Sequence, residues 1–434
     1  MKFKNIAATP ARLALFCMAG YLGIMDIVAE NQSRGIDRFN NLKQKNPSCS
    51  APDENSPDVQ ALQQKIDKWY PKIIEQYPRL KVEFKDIPDE QNGFLKILEW
   101  QEEVLLPVKE EPMKGVLFEL PAEFLSRIDW DHLLANPEEI KSFLAPKQII
   151  LDRAIAIGLL PEQSAKGISP NRHLFRNISF NTKIAEYLQL KAIAEANRGD
   201  VNATLKTVKA IHGWINHFCN TETPYLMTTT ISIPMRLGLQ STIHDQILPR
   251  LAKEDIDYAQ WIDLTKPGQD IQQQWLSMWR GEWYVITTSK WNANILAQEN
   301  LQDPIALLGA SAAVFNALSD PAVLRNQDAW QIPPPPSGLS RKSRDFYKVQ
   351  FENPMVNEFG KGMIRSKAIL RQYELALILQ KLEAEGQDLK ALNEQILDSL
   401  PTRILPGIDL TIDFDKREIT APADKIYEPK TVSF

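Results

Sequence analysis

Apolar residues recur at spacings of three and four over most of the chain, which is the pattern of amphipathic helices. The first such run begins after a proline, with Asp58 suited to the N-cap position. Its apolar positions are Val59, Leu62, Ile66, Trp69, Ile73 and Tyr77. Further helices are predicted at 121–134, 137–144, 225–249, 268–289, 303–318, 364–385 and 388–399. The sequence therefore predicts a mainly α fold.

The clearest local pattern is a helical hairpin at 183–219. A helix ends at Gly199, which suits a left-handed C-cap, and Asp200 caps the next helix. Two helices joined by so short a turn pack antiparallel. The spacing of Ala194, Gly199, Asp200 and Ala203 is similar to the inter-helix turn of a tetratricopeptide repeat. No second copy follows at the repeat's period, so the body is predicted to be solenoid-like without a counted array.

The C-terminus changes to the strand period of two. Ile408, Leu410, Ile412 and Phe414 alternate with polar residues. A turn at 415–416 would return the chain as a second strand at 417–420. Because a lone hairpin is marginally stable in water, we expect this small β-hairpin to dock on the helices.

The N-terminus has the character of a targeting segment. Lys2, Lys4 and Arg12 precede an uncharged apolar run at 13–25, which Asp26 ends. A basic start followed by an apolar run of this length is typical of a secretory signal. It is also typical of a short membrane anchor.

Three alternatives stay open for this segment: a cleaved signal peptide, an uncleaved membrane anchor, and a buried N-terminal helix. Cleavage after Ala29 would release the body, whereas an uncleaved anchor would span 11–29. In both cases the basic residues stay in the cytoplasm. The body is therefore expected on the periplasmic side of the inner membrane, anchored or released.

The chain divides into five predicted parts. They are a signal peptide or membrane anchor at 1–29, a flexible tether at 30–57, a helical body at 58–330, a proline-rich connection at 331–345, and C-terminal helices with the β-hairpin at 346–434. Four consecutive prolines at 333–336 force an extended segment within the connection.

Composition narrows the function classes. The 434 residues carry a formal net charge of −5, which argues against a general nucleic-acid binder. Among three cysteines there is no C-x-x-C pair. The sequence is compatible with a disulfide between Cys49 and Cys219 in an exported protein, and also with two unpaired thiols.

Three tryptophans form the main candidate contact surface. Trp275, Trp279 and Trp283 are four residues apart, so they share one face of a helix, with Arg280 beside them. If exposed, this indole row is a surface for a protein partner or a glycan. If buried, it is a seam of the core. These four residues are the predicted partner-binding site.

Zinc-binding residue types occur together at His212, His217 and Cys219. The two histidines are five residues apart and point in different directions on a helix. A position on the core face of a helix is the favoured interpretation. No metal and no cofactor are therefore expected.

An enzyme is the less favoured reading. A glycosidase needs two carboxylates across a cleft. The candidates are Glu99, Glu102, Glu103, Asp129 and Asp131. Nothing in their spacing selects a pair, and the sequence has no G-x-S-x-G, P-loop or H-E-x-x-H motif.

Several segments resemble a known group of proteins. They are the N-terminal anchor, Pro-Asp-Glu-Gln-Asn-Gly-Phe-Leu-Lys-Ile-Leu at 88–98, Asn-Arg-Gly-Asp at 197–200, and Glu-Asn-Pro-Met-Val-Asn-Glu-Phe-Gly-Lys at 352–361. Their order is similar to that in uncharacterised proteobacterial proteins with one N-terminal membrane segment and a helical periplasmic body. The resemblance implies a location and a helical fold, and no catalytic residues.

These observations predict a non-catalytic binding or assembly protein of the bacterial envelope, whose helical scaffold contacts a protein partner. One alternative is a helical carbohydrate-active hydrolase that acts on envelope glycans. The other is an accessory subunit of a membrane complex, held in the bilayer by the N-terminal segment.

Overall fold

The computed structural model describes residues 56–104, 106–107, 118–119, 128–170, 178–266, 270–298, 301–325, 331–351, 355–392, 394–405, 407–421 and 431–434. The predicted signal or anchor at 1–29 and nearly all of the tether lie outside these residues. So does Cys49, and the choice between a Cys49–Cys219 disulfide and two thiols stays as the sequence left it.

The described chain is mainly helical, as the periodicity predicted. Its helices are α1 (Pro57–Gln76), α2 (Gly93–Val104), α3 (Trp130–Ala135), α4 (Glu139–Leu144), α5 (Gln148–Gly158), α6 (Ile178–Asn197), α7 (Val201–Cys219), α8 (Leu226–Thr242), α9 (Tyr258–Thr265), α10 (Ile271–Thr288), α11 (Lys290–Gln298), α12 (Pro304–Leu318), α13 (Pro321–Arg325), α14 (Arg341–Phe351), α15 (Met355–Ala384) and α16 (Glu394–Ser399). Among the described residues, no helix combines the length and apolarity needed to cross a membrane.

The helix α1 is capped two residues earlier than predicted. The Ser56 hydroxyl accepts a hydrogen bond from the Val59 amide at 3.4 Å, so Ser56 is the N-cap and Asp58 lies in the first turn. Pro57 occupies the first helical position, where its missing N–H costs nothing.

The α6–α7 hairpin confirms the predicted turn. Gly199 has φ of +71°, which a residue with a side chain rarely adopts. The Asp200 carboxylate accepts a hydrogen bond from the Ala203 amide at 3.0 Å, which caps α7. The two helices pack against each other along their length.

Two short strands lie between α2 and α3, and five more follow the last helix. They are β1 (Leu106–Pro107), β2 (Phe118–Glu119), β3 (Arg403–Leu405), β4 (Ile408–Asp409), β5 (Thr411–Asp413), β6 (Glu418–Thr420) and β7 (Thr431–Ser433). All pairs are antiparallel: β1 with β2, β3 with β4, and β6 between β5 and β7. The predicted hairpin is therefore present as β5–β6, extended by β7. Ile408 belongs instead to β4, which pairs with β3.

The small sheet docks on α15, as expected for a sheet too small to stand alone. Buried Gln372 of α15 donates a hydrogen bond from Nε2 to the Ile419 carbonyl at 2.8 Å. The Arg417 guanidinium makes two hydrogen bonds of 2.8 Å to the Glu383 carboxylate. Arg417 itself lies in the β5–β6 turn with φ of +57°.

Apolar residues form three main clusters. The first lies among α5, α6, α7 and the C-terminal half of α8. The second joins α1, α10, α12 and α14, and the third lies between α15 and the C-terminal sheet. Helix α8 contacts α6, α7, α10 and α15, so its side chains lie where the clusters meet.

Candidate functional site

The predicted indole surface is part of the core. Trp275, Trp279 and Trp283 of α10 are exposed by only 0%, 5% and 0%. The ring centroids of Trp275 and Trp279 are 5.4 Å apart. Phe315 of α12 lies 5.9 Å from Trp283, and Trp69 of α1 lies 6.1 Å from it. The expectation of an open contact surface is corrected, because α1 and α12 cover the stripe.

The three indoles differ in their hydrogen bonding. Trp275 donates from Nε1 to the Leu318 carbonyl at 2.6 Å. Within the described structure, the buried Nε1 atoms of Trp279 and Trp283 have no acceptor. Trp275 therefore fixes the end of α12 by a directional contact, whereas the other two contribute through ring packing and buried area.

The polar neighbours of the stripe also have structural partners. Arg280, the fourth predicted partner-binding residue, donates from Nε to the Arg79 carbonyl at 3.0 Å. Burial lowers the pKa of Arg280. The Glu282 carboxylate accepts a hydrogen bond from the Leu226 amide at the start of α8, at 2.8 Å. Both side chains hold α10 against its neighbours.

The histidines of α7 occupy separate environments. His217 is buried beneath Gly93, and its Nδ1 lies 3.1 Å from Oε1 of Gln163. His212 is half-buried on another side of the helix. Burial lowers the pKa of each histidine to about 4. Among the described residues, no group of three or more potential ligands gathers around a metal position.

The carboxylates considered for a glycosidase pair lie at the surface. Glu103 makes a two-pronged ion pair with Arg153, at 2.6 and 2.9 Å. Glu99 pairs with Lys96 at 2.8 Å. Asp129 caps α3 by accepting a hydrogen bond from the His132 amide. Since Trp275, Trp279 and Trp283 are buried, they do not form an aromatic groove for these acids.

A shallow depression of about 540 Å³ lies next to α3 and α4. Its lining residues are Asp129, His132, Leu133, Glu139, Ser142 and Phe143. His132 Nε2 lies 2.9 Å from the Glu139 carboxylate, and this contact raises the pKa of His132. Since both partners are more than half exposed, water screens the pair and it adds little stability.

A polar row runs along α7, formed by His212, Asn216 and Asn220 at spacings of four. All three are half-buried. The Asn216 Oδ1 accepts hydrogen bonds from Asn220 Nδ2 at 3.1 Å and from Arg236 Nη2 of α8 at 2.6 Å. The Asn216 amide nitrogen lies 3.4 Å from His212 Nδ1. The polar row thus positions the Arg236 guanidinium.

A cation cluster lies beside this row, formed by Arg236 of α8 with Lys367 and Arg371 of α15. Arg236 is 8% exposed and Lys367 is 7% exposed. Burial, together with the charges of Arg371 and Arg236, lowers the pKa of Lys367 to about 8, against the opposing effect of Asp270 and Glu374. Arg236 and Lys367 are therefore buried, whereas the side chain of Arg371 is 25% exposed.

The carboxylates near Arg236 accept hydrogen bonds from other groups. Glu374 accepts a hydrogen bond from Nη1 of Arg371. Asp270 accepts from two amides in the first turn of α10, as its N-cap. Asp263 pairs with Lys266 at 2.9 Å. These bonds leave the positive charge of Arg236 without a direct ion pair in the part of the chain that the structure describes.

The outer face of α5 is apolar. Its outer stripe consists of Ile149, Asp152, Ala156 and Leu159, which lie at spacings of three, four and three and are all exposed. Ile149 is 86% exposed and Leu159 is 41% exposed; no other large apolar side chain of the described residues is exposed. The opposite face of α5 buries Leu151, Ala154 and Ile157.

Sequence reasoning missed both the cation cluster and the outer stripe. Arg236 lies within a predicted helix, but hydropathy does not tell whether an arginine faces water or the interior. The α5 region has apolar residues on both faces, so it shows no single amphipathic face to detect. Comparison with known proteins identifies no relative: no family model, curated protein or solved structure matches the chain.

Proposed function

We propose that the protein is a non-catalytic binding or assembly module of the bacterial envelope, which docks a protein partner on the outer stripe of α5. The observation that carries this proposal is the pair of large apolar side chains, Ile149 and Leu159, exposed on one helix face. Soluble proteins bury such groups when they can, because each one exposed to water forgoes a favourable transfer free energy.

The spacing of the outer stripe suits a helical partner. Exposed residues at intervals of three and four form the seam along which two helices pack. From Ile149 to Leu159 the stripe is about 15 Å long, which is roughly three helical turns. Ala156 lies between the two large side chains, and its small size allows a partner helix to approach closely.

Charge adds a requirement for that partner. Asp152 is the one charged member of the outer stripe and lies near its middle. Gln148 donates from Nε2 to the Asp152 carboxylate at 2.6 Å, which orients the carboxylate along the helix. The expected partner is an amphipathic helix with an apolar seam and a lysine or arginine opposite Asp152.

The proposal includes the location and the scaffold expected from the sequence. The N-terminal segment would place the body on the periplasmic side of the inner membrane, either anchored or released after Ala29. The α6–α7 hairpin, on which α5 packs, would belong to a solenoid-like scaffold of the tetratricopeptide type. An accessory subunit of a membrane complex is a specific case of the same proposal, in which the partner is embedded in the bilayer.

In-cell photo-crosslinking tests the docking surface. A photoreactive amino acid replaces Ile149, or Lys206, an exposed residue of α7, as the control position. We expect one discrete crosslinked product from position 149, mapped by mass spectrometry to an amphipathic helix of another protein, and none from position 206. Equal products from both positions, or a product with a second copy of this chain, would contradict the proposal.

A charge substitution provides the second arm of this test. Ile149→Glu places a carboxylate at the most exposed apolar position of the outer stripe, whereas Lys206→Glu places a new carboxylate elsewhere on the surface. Because both positions are exposed, neither variant should change the melting temperature (Tm) by much. With the photoreactive group moved to position 156, Ile149→Glu should abolish the crosslink and Lys206→Glu should preserve it.

A further inference from the structure

The proline-rich connection exposes one side of an extended segment. Every residue that precedes one of its four prolines is restricted to the extended backbone region, which favours a polyproline helix. Such a helix has three residues per turn, so residues three apart share an edge. Ile332 and Pro335 are half-buried. Pro333, Pro334 and Pro336 are exposed. Burial therefore follows the three-residue period, with one edge on the protein and two edges in water.

The body of the protein holds this segment at both ends. Ile332 packs against the second apolar cluster. The hydroxyl of buried Tyr347 donates a hydrogen bond to the Pro333 carbonyl at 2.9 Å. At the other end, the Leu339 amide donates to the Pro336 carbonyl at 3.2 Å. Since folding already orders the segment, a partner that binds it immobilises little further chain, which favours affinity.

Positive charge follows the segment at the start of α14. The Ser340 amide and hydroxyl both donate to the Asp303 carboxylate, at 2.8 and 3.0 Å, which fixes the turn before α14 to the start of α12. Arg341 and Arg344 are exposed, and their spacing of three places them on the same side of α14. Arg341 comes five residues after Pro336. The exposed prolines and the two guanidinium groups therefore belong to one ordered stretch of surface.

We propose that the edge formed by Pro333 and Pro336 docks into a groove lined with aromatic rings on a protein partner, with a carboxylate of that partner beside Arg341. The two prolines are about 9 Å apart on a polyproline helix, a spacing that aromatic grooves bind. Proline has no N–H, so its ring packs on apolar surface without burying an unpaired donor. The charge of Arg341 selects a groove bordered by an acidic residue. This surface lies on the second apolar cluster, whereas α5 belongs to the first, so it does not depend on the proposed docking function.

A titration monitored by nuclear magnetic resonance tests whether the folded protein presents this edge. The probe is an isotope-labelled SH3 domain with an acidic residue at one end of its aromatic groove, and the titrant is the purified full chain. We expect saturable changes in the resonances of the groove, with a dissociation constant below about 1 mM. Resonances on the opposite face of the probe should not change.

Four variants locate the contact. Pro333→Ala and Pro336→Ala each remove one ring from the edge, and each should weaken binding of the probe by about fivefold or more. Arg341→Met should weaken binding and make it less sensitive to salt. Pro88→Ala removes an exposed proline from another turn and should bind the probe as the wild type does. Because all four positions are exposed, Tm should change little in each variant.

Crosslinking in cells tests whether such a partner is present. A photoreactive amino acid replaces Ser337, which is exposed next to the segment. We expect one product, mapped to a partner peptide that contains an aromatic residue; combining Pro333→Ala with Pro336→Ala should abolish it, and Pro88→Ala should preserve it.

Three results would overturn the inference. They are an SH3 groove that does not respond to the full chain, a crosslinked product that persists without the two prolines, and a product with a second copy of this chain. If the doubly substituted chain does not fold, the two single proline variants decide between these outcomes.

Discussion

The carbonyl oxygen of Gly158 on α5 occupies the place that a side chain at Gly213 on α7 would take. A Cβ built on Gly213 would lie 1.8 Å from that oxygen. A Cβ on Gly158 would lie 2.2 Å from the Ala210 carbonyl oxygen. Both distances are far below van der Waals contact, so the two helices cross where neither has a side chain.

This crossing predicts an unequal effect of two glycine substitutions. Gly213→Ala should lower the free energy of unfolding by about 1–3 kcal/mol, because α5 and α7 must move apart to admit a methyl group. Gly362→Ala, in α15 with nothing within 4 Å of its Cβ position, should be neutral or stabilising by about 0.5–1 kcal/mol. Denaturant titration monitored by circular dichroism measures both.

Equal effects of the two substitutions would mean that α5 and α7 do not cross this closely. The comparison matters for the proposed docking function, because the same crossing fixes the direction in which the outer stripe faces. A wider crossing would turn α5 and change which of its residues are exposed.

We expect the substitution of tryptophan by phenylalanine to have different effects on stability at Trp275 and at Trp279. Trp275→Phe removes the donor to the Leu318 carbonyl, whereas Trp279→Phe removes an Nε1 that has no acceptor in the described structure. Both lose similar ring volume. The first should therefore lower the free energy of unfolding by about 1–2 kcal/mol more than the second, which is the cost of a broken buried hydrogen bond.

The same pair of variants tests the correction of the indole surface. If the stripe is core, both variants lower stability, as measured by urea unfolding, and partner capture by the folded protein is unchanged. Loss of capture at full stability would instead restore the indoles as a contact surface.

The buried histidines predict a loss of stability in acid. The pKa values of His212 and His217 are about 4 in the folded protein and about 6.5 in an unfolded chain. Between these values the unfolded chain binds more protons. Stability is therefore complete above pH 6.5 and falls as the pH drops toward 4, by roughly 3 kcal/mol for His217 and less for half-buried His212.

Unfolding free energies measured from pH 7 to pH 4 check this prediction. His217→Gln and His212→Gln should each reduce the slope of stability against pH, whatever they do to stability at pH 7. His132→Gln is the control, since His132 is exposed and its pKa is shifted upward. A slope unchanged by both buried-site variants would contradict the burial of these histidines.

Part of the fold followed from the sequence because it depends on local rules. The turn of the α6–α7 hairpin needs a left-handed residue and an N-cap, and Gly199 and Asp200 supply both. The β5–β6 hairpin needs alternation around a polar turn, which 408–420 shows. Features of this kind involve neighbours in sequence and can be recognised without knowing the rest of the structure.

The candidate sites did not follow from the sequence, because they depend on what packs against each helix. The stripe from Trp275 to Trp283 has the same spacing whether water or α12 covers it. Arg236 is compatible with a helix in either environment, and its burial requires α15, more than a hundred residues further along the chain. The predicted start of one helix was also wrong: α15 begins at Met355, whereas the periodicity predicted a start at residue 364.

Location is the most direct test of the envelope assignment. The full-length chain with a C-terminal tag is expressed, the cells are fractionated, and the mass of the intact chain gives the mature N-terminus. The account predicts either a chain that begins near Glu30 in the soluble periplasm, or a chain that keeps residue 1 in the membrane fraction with its body open to periplasmic protease. An intact chain in the soluble cytoplasm would contradict it.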